Sequence, residues 1–241
     1  MLPDLPALTL LALAGICLFT ATVQGVVGFG FALLAVPLSA LVEPSAVPVP
    51  QAILSVFLTL PMAWRGRHHL ELRRVRWILL GWIPGVVIGV TLLKVLSERA
   101  VSLAMAAFVL GAVALMTLGL KVRRYPPTEV GAGVLAGLGS LVSSISGPPV
   151  ALLYKDEKGA TLRANLALVF LSGVLLTLGG RLVSGEISLR DAQIALCVAP
   201  GVLLSLPVAE RLGGKVDGAL LRRLVLGLAT LSAVALAARA L

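Results

Sequence analysis

The chain has 241 residues, of which 59% are hydrophobic and 13% are charged, with a formal net charge of +9. A soluble domain has about a quarter of its residues charged, so this chain has too little polar surface for a water-soluble globule and must be embedded in a lipid bilayer. The basic residues cluster between apolar stretches without interleaved aromatic residues, which favours a topology signal over nucleic-acid binding.

Apolar segments follow one another along the whole chain, bounded by charged or turn-forming residues. A membrane-spanning helix needs about 20 apolar residues. The second segment of each half is short or glycine-rich, which predicts either a re-entrant piece or one arm of a broken helix. The predicted segments are Leu5–Gln24, Val26–Val42, Ala46–Trp64, Val75–Leu93, Ala100–Leu120, Thr128–Ser143, Ser146–Tyr154, Ala164–Arg181, Ala192–Ala209 and Ala219–Ala240.

Glycine and proline positions of the first half recur in the second half. The matches are Gly25 with Gly137 and Pro37 with Pro149 at a shift of 112 residues, and Pro84 with Pro200, Gly85 with Gly201 and Gly111 with Gly227 at a shift of 116. Duplicated apolar halves with breaks at corresponding places are typical of secondary transporters. The pattern predicts an all-α, polytopic helical membrane protein. It comprises two repeats of about five segments, with broken or re-entrant helices, at residues 1–124 and 125–241 of one membrane domain.

The basic residues predict how these repeats are oriented. If the first two segments form a hairpin, most of the 20 lysines and arginines fall on the same side as the loop between Arg65 and Arg76. Cytoplasmic loops carry the excess of lysine and arginine, so we expect a multi-pass protein of the cell membrane with both termini extracytoplasmic. An odd number of crossings per half also inverts the second repeat relative to the first.

Small residues at four-residue spacing predict where helices pack closely. Gly81, Gly85 and Gly89 form one stripe of the fourth segment, and the matching positions of the second half are also small. Such stripes let helix backbones approach each other in lipid. We interpret them as packing surfaces rather than substrate contacts.

Two stretches rich in glycine, serine and proline are the candidate binding site. Residues 24–30 read Gln-Gly-Val-Val-Gly-Phe-Gly, and residues 139–149 read Gly-Ser-Leu-Val-Ser-Ser-Ile-Ser-Gly-Pro-Pro. Such stretches interrupt helices, and the freed backbone groups are tolerated at membrane depth only inside protein or beside a wet cavity. Amino termini of broken helices attract anions, and the glutamine and serine side chains add donors. The alternative is that the glycines only permit tight helix crossing.

The remaining polar residues suggest binding rather than catalysis. Arg163, near the start of a segment, could neutralise an anion or could extend to the membrane interface. No Asp, Glu or His lies near the middle of a predicted segment, so coupling through a buried proton carrier is not expected. The sequence also contains no P-loop, metal-ligand spacing or nucleophile triad. We therefore expect no enzyme activity, catalytic residue, metal or cofactor.

At the two broken stretches the chain resembles the sulfite exporter TauE/SafE family, also called the toluene sulfonate uptake permease family. Residues 24–37 are similar to that family's glycine-rich element ending in proline. Residues 145–154, followed by Leu-Arg-Ala-Asn at 162–165, are similar to a subgroup with Ser-Gly-Pro-Pro in place of a glycine triplet. The resemblance implies transport of small sulfur-containing or organic anions such as sulfite and sulfonates. It also implies that the two elements face each other near the midplane.

The combined prediction is a permease or exporter whose small anionic substrate binds between the repeats. The predicted substrate-binding residues are Gln24, Gly25, Gly28, Gly30, Ser143, Ser144, Ser146, Gly147, Pro148, Arg163 and Asn165, the last two as outer partners. A carrier of small carboxylates and a non-transporting membrane scaffold are the alternatives. The identity of the anion, the coupling ion and the oligomeric state, including a homo-oligomer, are left open.

Overall fold

A computed structural model describes residues 3–70, 75–118, 122–154, 157, 159–213, 226–231 and 234. These residues form helices and turns and no strand, which confirms the all-α class. In chain order the α-helices are α1 (Ala7–Val27), α2 (Phe31–Val42), α3 (Val49–Arg65), α4 (Arg76–Val95), α5 (Glu98–Thr117), α6 (Pro126–Ser143), α7 (Gly147–Leu153), α8 (Gly159–Val183) and α9 (Leu189–Leu212). Of the tenth predicted segment, residues 226–231 and 234 are helical, and the rest lies outside the described residues.

Helix length separates spanning helices from partial ones. Five helices, α1, α4, α5, α8 and α9, are long and apolar enough to cross a bilayer, so the chain is a multi-pass membrane protein. By contrast, α2 has 12 residues and α7 has seven. At 1.5 Å per residue they extend about 18 and about 10 Å, against a hydrocarbon core of about 30 Å. Neither of these two helices can cross alone.

The first short helix turns back along its predecessor. Between α1 and α2, Gly28 and Gly30 have φ angles of 97° and 118°, a left-handed conformation that favours glycine. Gln51, at the start of α3, donates to the Ser39 hydroxyl of α2 at 2.9 Å and lies 3.8 Å from the Cys17 sulfur in the middle of α1. The end of α2 is therefore level with the middle of α1, which identifies α2 as a re-entrant helix.

One shift of 116 residues relates the two helix breaks. The breaks cover residues 28–30 and 144–146, and α2 and α7 begin at Phe31 and Gly147. The shift of 112 predicted for this part of the chain is therefore wrong. Gly25 lies against Ala209, and Gly137 lies against Trp82. The two glycines therefore match in sequence because each packs against a neighbouring helix. They do not occupy the same position in a break.

The helix pairs that pack together also correspond under the shift of 116 residues, which relates α1 to α6, α3 to α8 and α4 to α9. Helix α4 packs on α6 and α9 packs on α1, while α3 packs on α8 as well as on α9, and α8 also packs on α4. Each half therefore packs mainly against the other half, and the buried apolar residues form two clusters that both draw on the two halves. The repeat boundary near residue 124 and the inversion of the second repeat stay predictions.

The glycine stripes pack as predicted. Gly81 and Gly85 of α4 face backbone carbonyls of α6, and Gly89 faces Leu141 of α6, so an added Cβ would clash at each position. In the second half, Gly201 of α9 meets the backbone of α1 in the same way. Close backbone approach of this kind stabilises helix pairs in lipid, where no hydrophobic effect drives association.

Candidate functional site

The two helix breaks meet at a small internal cavity, here called the inner cavity. A Cβ built on Gly147 would lie 3.8 Å from the Cβ of Phe29, so the breaks lie side by side. The inner cavity measures about 30 Å³, room for about one or two water molecules. Its polar side chains come from α1, α3, α6 and the second break: Gln24, Ser55, Thr59, Ser140, Ser144 and Ser146. The described residues that line it include no carboxylate.

The first break contributes backbone donors. The Gln24 side-chain oxygen accepts the N–H of Phe31 at 3.0 Å and so caps the start of α2 across the break. The next two N–H groups of α2, those of Ala32 and Leu33, have no acceptor among the described residues, and both residues line the inner cavity. These are the donors that any helix leaves free in its first turn, and they lie at the positive end of the helix dipole.

The second break contributes hydroxyl groups held by distant partners. Ser144 adopts φ 58° and donates its hydroxyl to the carbonyl of Pro48 at 2.6 Å. The Thr177 hydroxyl of α8 lies 2.9 Å from that of Ser140 and accepts the indole N–H of Trp82 at 3.2 Å. Contacts from α3, α4 and α8 therefore position the serines on this side of the inner cavity.

A wider cavity of about 370 Å³, here called the vestibule, lies on the other side of the last turn of α1. Gln24 lines the inner cavity and Gly25 lines the vestibule, so a single helical turn separates the two. The vestibule is lined by Gly25, Met62, Arg65, Gly66, His69, Ala160, Arg163, Ala164, Leu206, Ala209, Glu210 and Gly213. These residues bring together the ends of α3 and α9 and the start of α8.

Two arginines of the vestibule differ in their partners. Arg65 forms an ion pair with Glu210, and both side chains are more than half exposed. The Arg163 guanidinium forms no hydrogen bond or ion pair with any residue that the structure describes. Its Cγ would lie 3.6 Å from a Cβ on Gly28, so the side chain runs alongside the first break. A half-buried cation without a protein partner, next to a helix break, is suited to attract an anion.

Asn165 belongs to a separate polar cluster. Its amide donates to the Glu157 carboxylate at 3.3 Å. Arg124 bonds the same carboxylate at 3.1 Å and the buried carboxylate of Glu129 at 2.5 Å. This cluster ties the starts of α6 and α8 together, which is a structural arrangement rather than part of either cavity.

The structure thus divides the predicted site residues. Those on the inner cavity are Gln24, Gly30, Ser144, Ser146 and Gly147, whereas Gly25 and Arg163 line the vestibule. Gly28 lies between the two, against Arg163 and Leu166. Ser143, Pro148 and Asn165 line neither cavity; the Ser143 hydroxyl bonds the carbonyl of Gly139 in its own helix at 2.8 Å.

Sequence reasoning missed three polar residues of the inner cavity, Ser55, Thr59 and Ser140. A signal for them was present. Ser55 and Thr59 are four residues apart, a spacing that places them on one face of α3, and Ser140 precedes the serines of the second break by about one helical turn. Polar pairs on the apolar helices of such a bundle indicate an interior or wet surface.

Comparison with known proteins yields one match. The family model described as "Sulfite exporter TauE/SafE" matches residues 13–236, which include both helix breaks and every residue that lines the two cavities. No curated protein and no solved structure matches the chain.

Proposed function

Because the chain belongs to the sulfite exporter TauE/SafE family of membrane transporters, we propose that it carries a small sulfur oxyanion or sulfonate between the vestibule and the inner cavity. The observation that carries this proposal is the position of Arg163. The stem of its side chain lies beside Gly28, at the break that leads to the inner cavity, and its guanidinium has no partner among the described residues. A cation followed by neutral donors is an arrangement that attracts an anion and then binds it without holding it too tightly.

The inner cavity has the chemistry of an anion site. Its available donors are the N–H groups at the start of α2, the amide of Gln24 and the hydroxyl of Ser146, whereas the Ser144 hydroxyl already donates to Pro48. Sulfite and sulfonate oxygens accept hydrogen bonds from several directions, so donors from both breaks can bind one anion together. The inner cavity has room only for water in this conformation. We therefore propose that the two breaks separate when the anion moves in from the vestibule.

We propose that the vestibule faces the cytoplasm. It lies at the end of the bundle that carries the basic residues Arg65, Arg67, Arg76 and Arg123, and cytoplasmic loops are enriched in such residues. Both termini are then extracytoplasmic. A negative membrane potential favours exit of an anion by about 2.3 kcal/mol per charge per 100 mV, so export through the cell membrane needs no coupled ion.

The test is sulfite flux into proteoliposomes that contain Arg163→Met. We expect the half-saturating sulfite concentration to rise about tenfold, equivalent to about 1.4 kcal/mol, because a charged contact is lost. The melting temperature should stay near that of the wild type, since the guanidinium has no partner to lose in the part of the chain that the structure describes. Arg163→Lys should recover part of the affinity.

Arg65→Met is the matched control, because it removes a vestibule arginine that Glu210 already neutralises. An unchanged half-saturating concentration in Arg163→Met would overturn the role of Arg163. Acetate that competes as well as sulfite would favour the carrier of small carboxylates. A wild-type protein that neither conducts nor is stabilised by any of these anions would favour the membrane scaffold.

A further inference from the structure

We propose that Arg181 is a second anion contact, on the far side of the inner cavity, and that the Glu186 carboxylate occupies it in this conformation. The inference rests on the proposed function, because it adds a binding residue to the same route. In sequence Arg181 is one more basic residue at a segment end. In the fold it is distinguished by its burial and by its incomplete pairing.

Helix α8 places the inner cavity midway between two arginines. Phe170, which lines the inner cavity, follows Arg163 by seven residues, and Val174, also on the inner cavity, precedes Arg181 by seven. Seven residues make almost two full helical turns, so the members of each pair share one face, about 10 Å apart along the axis. The two arginines lie about 27 Å apart, close to the thickness of the hydrocarbon core.

The Arg181 side chain is buried but incompletely paired. The side chain is 4% exposed, and it donates to the carbonyl of Leu141 in α6 and, at 2.9 Å, to the Glu186 carboxylate. Its Nε is buried without an acceptor among the residues that the structure describes. Buried guanidinium groups normally use all of their donors, so this one retains capacity for a further acceptor.

Arg181 adjoins the lining of the inner cavity. Thr177 lies one turn before it on α8 and contacts the Ser140 hydroxyl, which lines the inner cavity, while Arg181 bonds the adjacent residue, Leu141. An anion that leaves the inner cavity past Ser140 therefore reaches the guanidinium after about one helical turn, or about 5 Å. Arg163 and Arg181 would then serve as the contacts before and after the inner cavity.

The 116-residue shift that relates the helix breaks also relates Arg65 to Arg181. Each arginine lies near the carboxyl end of its helix, α3 or α8, and each is paired with a glutamate. A Cβ on Gly66 would lie 2.6 Å from Ala164, so the end of α3 meets the start of α8 and the two arginines lie at opposite ends of the bundle.

The two ion pairs differ in their access to solvent. The Arg65–Glu210 pair borders the open vestibule, with 52% and 62% of the side chains exposed, whereas the Arg181 side chain is 4% exposed and its glutamate 28%. Among the described residues, the Arg65 pair is thus accessible to solvent and the Arg181 guanidinium is not. Glu186 acts as a tethered carboxylate that the transported anion displaces when the Arg181 end opens, because both present oxyanion acceptors to the same guanidinium.

The test measures sulfite flux into right-side-out and inverted membrane vesicles that contain Glu186→Gln, with Glu210→Gln as the variant of the related pair. Removing the competing carboxylate should lower the half-saturating sulfite concentration about three- to tenfold, because charged hydrogen bonds are the strong ones. We expect this shift only in the vesicles that present the Arg181 end to the medium. Glu210→Gln should lower the half-saturating sulfite concentration by a smaller factor, and only in the other type of vesicle.

A merely structural ion pair predicts another result. Glu186→Gln would then lower the melting temperature. The half-saturating sulfite concentration would stay unchanged or would change equally in both vesicle types. With normal wild-type flux, that result overturns the inference and leaves the proposed function standing. Arg181→Lys gives a second readout. We expect it to raise the half-saturating sulfite concentration only in the vesicles that present the Arg181 end to the medium. A wild-type protein that carries neither sulfite nor a sulfonate overturns both proposals.

Discussion

The two helix breaks turn the chain in the same way but are built from different residues. At the first break, Gly28 and Gly30 adopt left-handed conformations, and the Gln24 side chain caps the helix that follows. At the second break, Ser144 adopts the left-handed conformation, and its hydroxyl bonds the carbonyl of Pro48. Glycine takes this conformation at no steric cost, whereas serine carries a cost that its hydrogen bond offsets.

The turn of the chain is therefore similar at the two breaks, whereas the residues that form it differ. The difference in residues determines which donors reach the inner cavity. The first break presents the backbone N–H groups of Ala32 and Leu33, and the second presents the hydroxyl of Ser146, because that of Ser144 donates to Pro48. Substitutions can test these roles separately.

The largest effect is expected for Gly28→Val. A β-branched side chain at φ 97° is strained, and its Cβ would lie 3.2 Å from Leu166. Together these effects should lower the free energy of unfolding by about 3 kcal/mol. Thermal unfolding of the detergent-purified protein measures the change. Gly15→Val is the control in the same helix, because a Cβ at Gly15 meets nothing within 4 Å; equal melting temperatures would show that the first break tolerates an L side chain.

A smaller loss, about 2 kcal/mol, is expected for Gln24→Leu, because the buried N–H of Phe31 loses its acceptor. The half-saturating sulfite concentration should also rise, since the inner cavity loses an amide. Gln51→Leu is the matched control, a buried amide outside both cavities. It should lower stability and leave half-saturation unchanged. If both variants changed half-saturation alike, Gln24 would not be a specific contact of the anion.

The smallest effect is expected at the second break, where Ser144→Gly should change the free energy of unfolding by less than about 1 kcal/mol. Glycine relieves the left-handed strain and loses the bond to Pro48, and the two contributions nearly cancel. Ser144→Ala retains the strain without the bond and should lose about 1.5 kcal/mol. Chemical denaturation of both variants provides the comparison. A glycine variant less stable than the alanine variant would contradict this account of the second break.

Much of the fold could be predicted from local patterns in the sequence. Hydropathy predicted nine of the α-helices to within a few residues, because lipid selects apolar stretches of a given length. Glycine and serine runs predicted both breaks, and the spacing of Gly81, Gly85 and Gly89 predicted the packing of α4. The 112-residue shift was wrong because Gly25 and Gly137 each pack against a neighbouring helix and lie outside the breaks.

The site was predictable only in part, as Ser143 and Ser144 illustrate. The two are neighbours with the same side chain, yet Ser143 bonds its own helix while Ser144 bonds Pro48, 96 residues away. Backbone conformation at the end of α6 separates them. The sequence contains no local signal for that difference, because it depends on where α3 begins in space.

The sequence by itself determined that the chain lies in the membrane, where its helices break and which of its stripes pack closely, since hydropathy and backbone preference act over a few residues. The tertiary structure alone decided which polar groups share a cavity. It left Arg163 beside the first break without a partner among the described residues, and it buried Arg181 against α6. Burial and pairing of a side chain depend on neighbours that are distant in sequence, and only the packing of the two halves brings those neighbours together.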